Sequence, residues 1–225
     1  MSIKAVLMSA KPEWCKKILS REKTVEVRKT RPKLETPFKV YIYCTKTAEG
    51  WLRAVPVQGW QRLDGFVIGE FTCYKIDTIR RMGIDDNFDY CYLSLNEFGN
   101  DDIAIEIQDV KKSCIPKYEL NAYGKSAQEL FAWHISDQKI YDEPLPLSNF
   151  TPNCRHLEDE AGCRAYREHG WSCPDQRYDH NPDGSVNMAI CQRSVKRAPQ
   201  SWCYVEEKDI VDLLYGNGRE KKTNV

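Results

Sequence analysis

Arg21-Glu22-Lys23-Thr24-Val25-Glu26-Val27-Arg28 decides how this chain is read. It predicts the exit of a short helix followed at once by an alternating strand. Successive side chains of a strand face opposite ways, so Val25 and Val27 share one face and belong in a core. Thr24, Glu26 and Arg28 share the other, with Lys23 at the strand entrance. A hydroxyl, a carboxylate and a guanidinium in a row fit a binding face, and they fit a solvated strand face as well. Spacing alone leaves both readings open.

The flanking sequence extends the pattern. Upstream, Lys11-Pro12-Glu13-Trp14-Cys15-Lys16-Lys17-Ile18-Leu19 predicts a helix over 12–19, with Pro12 in its first turn and Trp14 and Ile18 one turn apart. Ala5-Val6-Leu7-Met8 before it has strand length. Further strands are expected at 38–44, 65–77, 132–135, 138–141 and 201–206, beside those at 4–9 and 24–29. A partly β insertion is expected over 82–110 and a short helix within 113–124.

Strand, short helix, then a Lys-Thr-x-Glu-x-Arg strand resembles the opening of the activating-signal-cointegrator homology (ASCH) domains of the PUA-like superfamily. Also similar are Phe38 to Cys44, Val67-Ile68-Gly69-Glu70-Phe71, Trp133-His134-Ile135-Ser136-Asp137 through Tyr141, and Pro199 to Val205. The likeness is to ASCH proteins of the kind met in bacterial prophages. It implies an α/β (α+β) fold: a PUA-like β-barrel of five to seven strands with a short helix across one opening. The domain would cover 1–150, followed by a Cys-rich insertion at 151–198, a returning barrel strand at 199–207 and a C-terminal segment at 208–225 whose tail is disordered. Where the family usually has Gly before Glu-Lys-Thr, this chain has Arg21.

The resemblance also implies a cleft beside the first helix and second strand. Its candidate ligand-binding residues are Trp14, Lys23, Thr24, Glu26, Arg28, Tyr43, Lys46 and Glu70, with Glu70 on a facing strand and Trp14 and Tyr43 placed to stack on a base. These expectations treat the charged pairs as exposed, so that removing Lys23 or Arg28 would cost little stability. Some ASCH relatives hydrolyse 4-acetylcytidine with a Lys, a Thr and a Glu. Carried onto this chain, the Lys is Lys23 and the distal Glu is Glu70, but the Thr position is Glu26. A carboxylate cannot be that hydroxyl nucleophile, although Glu26 can act as a general base on water. The implied functions are binding of RNA or of a modified nucleoside or, as the alternative, hydrolysis of an N-acylated nucleoside or RNA by Lys23, Glu26 and Glu70.

Composition bounds the rest. The 225 residues hold 33 basic and 33 acidic side chains, so no global field draws the chain to nucleic acid and any such binding is local. No apolar run approaches the ~20 residues of a membrane span and the N-terminus lacks a signal-peptide core, so the expected setting is the cytoplasm, and the expected state a monomer. Of ten cysteines, Cys15, Cys44, Cys73 and Cys91 lie in apolar segments and read as small buried hydrophobes. Cys154, Cys163, Cys173 and Cys191 share one stretch with His156, His169 and His180, three of the chain's four histidines. Zinc held by those four cysteines would order a polar insertion that lacks an apolar core. Their gaps of 8, 9 and 17 residues match no standard finger, and free thiols or disulfides remain the alternatives.

Overall fold

A computed structural model describes residues 4–55, 59–83, 90–94, 108–152, 179–180, 186–187 and 195–207. Strand β1 (Lys4–Ala10) enters helix α1 (Pro12–Leu19), which buries Cys15 and Ile18 and packs Trp14 and Leu19 on the same core. Pro12 sits where a helix has no use for an N–H, and Glu13 near the start and Lys16 and Lys17 near the end complement the helix dipole.

The turn after α1 explains a sequence departure. Arg21 has φ of 65°, in the left-handed region. Its N–H reaches the Ile18 carbonyl at 3.1 Å, and the Lys23 N–H reaches that of Lys17 at 2.9 Å. This is the helix-stopping geometry that favours glycine. The position read from sequence as a Gly-to-Arg change is therefore one where backbone conformation matters.

Strand β2 (Val25–Arg28) is buried along its whole length, with neither face solvated. Val25 and Val27 join Ile79, Leu120, Leu130 and Ala132 in one apolar cluster. Glu26 and Arg28 point the other way; in the ladder Glu26 is opposite Trp133 and Arg28 opposite Phe131.

The remaining strands are β3 (Phe38–Cys44), β4 (Leu52–Val55), β5 (Gly59–Arg62), β6 (Val67–Gly83), β7 (Tyr90–Ser94), β8 (Glu129–Leu145), β9 (Asp179–His180), β10 (Val186–Asn187) and β11 (Trp202–Glu206). Helices α2 (Gln108–Ser113) and α3 (Lys117–Gly124) lie between β7 and β8. The main sheet runs β11-β1-β3-β6-β8-β2, with β7 on β6; β1–β3 is parallel and the other pairs are antiparallel. β4 and β5 form a separate hairpin that sequence reading missed, and β9 pairs with β10.

Two expected short strands, 132–135 and 138–141, are one 17-residue strand. The apparent break is a bulge: Asp137 has φ of 52°, and the β6–β8 register shifts there. The helix expected within 113–124 is interrupted by Cys114-Ile115-Pro116, since the residue before a proline avoids helical backbone.

The closed barrel is a correction. Among the described residues no ladder joins β2 to β11, and the sheet stays open along its path. β2 is only four residues long. Side chains span the gap instead: Arg28 Nη2 donates to the Ser9 carbonyl at 2.7 Å, Trp202 Nε1 to Thr30 Oγ1 at 3.0 Å, and the Lys33 N–H to Tyr204 Oη at 2.6 Å.

One core lies between α1 and the sheet, around Met8, Val40, Ile42, Phe71 and Trp133. The opposite face buries Leu7, Tyr41, Tyr43, Tyr141 and Leu145 beneath Phe150 and Val195. Cys15, Cys44 and Cys73 are fully buried, as small hydrophobes should be. Cys154, Cys163, Cys173 and Cys191 lie outside the described residues.

Relieving the left-handed conformation at exposed Arg21 should stabilise the fold. Arg21→Gly is expected to raise stability by about 0.5–1 kcal/mol, the steric gain less the added freedom of the unfolded chain. Chemical denaturation at unchanged m-value measures it, and a loss of stability would contradict the turn geometry.

Candidate functional site

The register that puts Glu26 and Arg28 on the α1 side of β2 assembles a buried charge cluster. Lys23 is 0% exposed; its Nζ donates to the Ser113 carbonyl at 2.6 Å and lies 3.3 Å from Glu26 Oε2. The same ammonium sits 5.2 Å from the centre of the Trp14 ring, within cation–π range. Glu26 Oε1 is 2.9 Å from Arg28 Nε. One carboxylate is thus shared by two cations, Arg28 on the same short strand and Lys23 two residues before its start.

These contacts are ionic rather than well-directed hydrogen bonds. Glu26 Oε2 and Arg28 Nε are held by these ion pairs, while Trp133 Nε1, across the ladder, is buried and meets no hydrogen-bond acceptor among the described residues. The rest of the Arg28 guanidinium is committed to the sheet gap, where Nη2 meets the Ser9 carbonyl and Nη1 lies 3.3 Å from Ser201 Oγ.

Electrostatics follow from burial. Desolvation lowers the Lys23 pKa from its ordinary 10.5, and the nearby Glu26 carboxylate opposes that shift. Tyr123 of α3, about one-third exposed, has its phenol pushed up by burial and feels the charges of both Arg28 and Glu26. It stands beside the cluster, with Lys29 Nζ 5.2 Å from its ring centre. Sequence reading placed Tyr123 on a helix but gave it no role, because 95 residues separate it from Arg28 and no local pattern links them. Cys114, partly exposed, borders Lys23 as well: its thiol donates to the Glu22 carbonyl at 3.4 Å.

The other expected residues distribute as follows. Trp14 belongs to the cluster through Lys23. Thr24 adjoins it, half-buried, with its backbone bridging the Lys112 carbonyl and the Ile135 N–H. The structure does not bring Glu70 or Tyr43 to it. Glu70 is opposite Tyr41 in the β3–β6 ladder, and both Tyr41 and Tyr43 project into the core on the other face of the sheet. There Glu70 accepts a hydrogen bond from Tyr141 at 2.7 Å and lies 3.6 Å from Lys139 Nζ. Burial, and then that bond, push the Tyr141 phenol well up. The physical reason is parity: an even–odd offset on β6 decides which face a side chain takes. Lys46 is exposed on the loop after β3, a loop fixed by Asp64, which accepts the N–H groups of Thr47 and Trp51 at 3.1 and 2.7 Å.

Among the described residues, no three His, Cys, Asp or Glu side chains converge as metal ligands, and no helix is long and apolar enough to cross a membrane. No family model and no curated protein matches the chain. Among solved structures it is similar to the crystal structure of ASCH from Zymomonas mobilis, at 18% identity over 63% of this chain and 70% of that one, with a TM-score of 0.39. Two single-substitution variants of that protein give 19% identity over 64% and 76% with a TM-score of 0.41, and 18% over 64% and 74% with 0.40.

Burial overturns the expectation that these charges are cheap to remove. Glu26→Ala would leave Lys23 and Arg28 uncompensated and should cost about 3–5 kcal/mol in urea denaturation. The pH dependence has a defined sign. Between the lowered folded value of Lys23 and the ordinary 10.5, the unfolded chain binds more protons, so stability rises with pH across that window and has no Lys23 slope below it. The wild type should therefore gain stability on a Lys23→Met variant as pH approaches 10.5; parallel curves would contradict a depressed lysine.

Proposed function

We propose that this chain is an ASCH-type domain that binds RNA or a nucleoside at the Lys23–Glu26–Arg28 cluster. The observation that carries the reading is a buried carboxylate held between two cations, with two partly exposed rings, Trp14 and Tyr123, beside the charges. Planar rings next to charged groups suit a base, which offers a stacking face and a hydrogen-bonding edge. The sequence resemblance supports the same class of ligand. The chain's balanced charge fits recognition of a base more than wholesale phosphate neutralisation.

The alternative is hydrolysis of an N-acylated nucleoside or of RNA, favoured by one observation: a buried lysine of lowered pKa in contact with a carboxylate. Binding is the stronger reading, because Glu26 stands where a hydroxyl nucleophile is required and Glu70 projects from the other face. A calorimetric screen against nucleosides and short single-stranded RNAs should find a binder whose affinity is lost in Trp14→Ala and Tyr123→Ala variants that remain folded. Hydrolysis of 4-acetylcytidine should be absent or slow; turnover above about 1 per second would reverse the choice in favour of the enzyme.

For the Cys-rich stretch we propose a structural zinc held by Cys154, Cys163, Cys173 and Cys191, supported by the concentration of thiols and imidazoles there. The setting would then be a reducing one such as the cytoplasm. Elemental analysis of protein purified without chelators should give close to one zinc per chain, and less than about a tenth of an equivalent would leave the cysteines as free thiols.

A further inference from the structure

Beside the buried charge cluster runs a surface on which rings and cations alternate. Lys16 Nζ stands 5.4 Å from the centre of the Trp51 ring, Lys17 Nζ 5.5 Å and Lys23 Nζ 5.2 Å from that of Trp14, and Lys29 Nζ 5.2 Å from that of Tyr123. With Cys15 and Ile18 turned to the core, a helical turn of about 100° per residue puts Trp14 and Lys16 on opposite flanks of α1 and Lys17 on its crest. The band thus crosses α1 from Trp51 to Trp14 and reaches Tyr123 beside the Glu26–Arg28 pair. Past Tyr123 it continues on the loop after β2, where Arg31 and Lys33 are exposed on either side of buried Pro32. That loop is pinned: the Lys33 N–H donates to Tyr204 Oη, and Thr30 Oγ1 accepts from Trp202 Nε1. Among the described residues Lys16, Lys17, Lys29, Arg31 and Lys33 meet no carboxylate, whereas Lys75, Arg80 and Lys139 elsewhere each have one. Glu13 on α1 is turned to Lys11 at 3.7 Å, and Glu35 is the one carboxylate in residues 29–37. A chain of zero net charge has gathered cations on one surface without a counter-charge.

We propose that this band is a track for a single strand of RNA, which lays bases on Trp51, Trp14 and Tyr123 and phosphates on the exposed cations between and beyond them. This rests on the reading of the Trp14–Tyr123 region as a base-binding site and names its ligand as a strand rather than a free nucleoside. Alternation is the argument. A strand offers unpaired bases and anionic phosphates in succession, and rings interleaved with cations complement both. A duplex hides its base faces and an acidic peptide presents no succession of planar rings, so either would leave the aromatic half of the band unused. The lysines that stand over the rings are exchangeable. An exposed cation–π contact is weaker than a stacked base, and the displaced ammonium gains a phosphate. Trp51 sits on a loop that Asp64 fixes through the N–H groups of Thr47 and Trp51, so binding there orders little that is not ordered already.

Fluorescence anisotropy of the full chain with end-labelled oligo-U of about ten nucleotides, a length such surfaces cover, tests the track. The comparisons are uridine, titrated calorimetrically, and the same oligo-U paired with oligo-A. The single strand should bind at least about tenfold tighter than either, with log K falling against log salt. The combined variant Lys16→Gln, Arg31→Gln, Lys33→Gln should lower that slope by about 2, at about 0.7 per phosphate contact, and weaken the oligomer at least about tenfold. These side chains make no hydrogen bond or ion pair among the described residues, so the variant should melt like the parent. Trp51→Leu keeps apolar bulk but removes the ring, and should weaken the oligomer at least about fivefold at an unchanged salt slope; if it does not melt cooperatively, the charge variant decides. An oligomer no tighter than uridine, a duplex bound as well as the single strand, or parental affinity in either folded variant would overturn the track while leaving the base site standing. Binding of neither uridine nor the oligomer would overturn both.

Discussion

A single carboxylate, Glu26, neutralises two cations in a place where neither could otherwise stay. Lys23 has no solvent exposure and Arg28 has almost none, and an isolated charge of either kind would cost several kcal/mol of desolvation. Their contacts extend to four other parts of the chain. Lys23 holds the end of α2 through Ser113 and α1 through Trp14; Arg28 holds β1 through Ser9 and the entry to β11 through Ser201. A four-residue edge strand that would make a weak ladder on its own is in this way tied across the open side of the sheet.

The open sheet and the cluster are two aspects of one arrangement. Backbone pairing between β2 and β11 would satisfy the strand edges but leave the Arg28 guanidinium without the carbonyls it now reaches. Side chains that span the gap instead keep polar atoms, rather than a continuous ladder, beneath α1. Aromatic rings complete the wall: Trp133 packs edge-on against Phe38 and Trp202, which in turn meets Tyr204. The same constraint therefore gives the fold its stability and keeps its paired charges buried beside the gap in the sheet.

Much of this was legible in the sequence, and the failures have local causes. Alternation in Val25-Glu26-Val27-Arg28 located β2 and the polar set, and Pro12 with the Trp14–Ile18 spacing located α1. The cluster's burial was not legible, because a polar strand face looks the same whether a helix covers it or water does. Glu70 and Tyr43 were assigned to the site by a resemblance that says nothing of parity along β6 and β3, where a single step moves a side chain through the sheet. Tyr123 and Cys114 reach the site through tertiary packing alone. The hairpin at Leu52–Arg62 was missed because its outward residues, with Trp60 73% exposed, do not alternate as a half-buried strand does.

If the shared carboxylate carries this architecture, Glu26 and Arg28 must be energetically coupled. A double-mutant cycle with Glu26→Gln, Arg28→Met and the double variant, read by urea denaturation, measures that coupling. The structure predicts at least about 1.5 kcal/mol, in the upper part of the range for residues in one network. A coupling below about 0.3 kcal/mol, with each single variant nearly as stable as the parent, would contradict it.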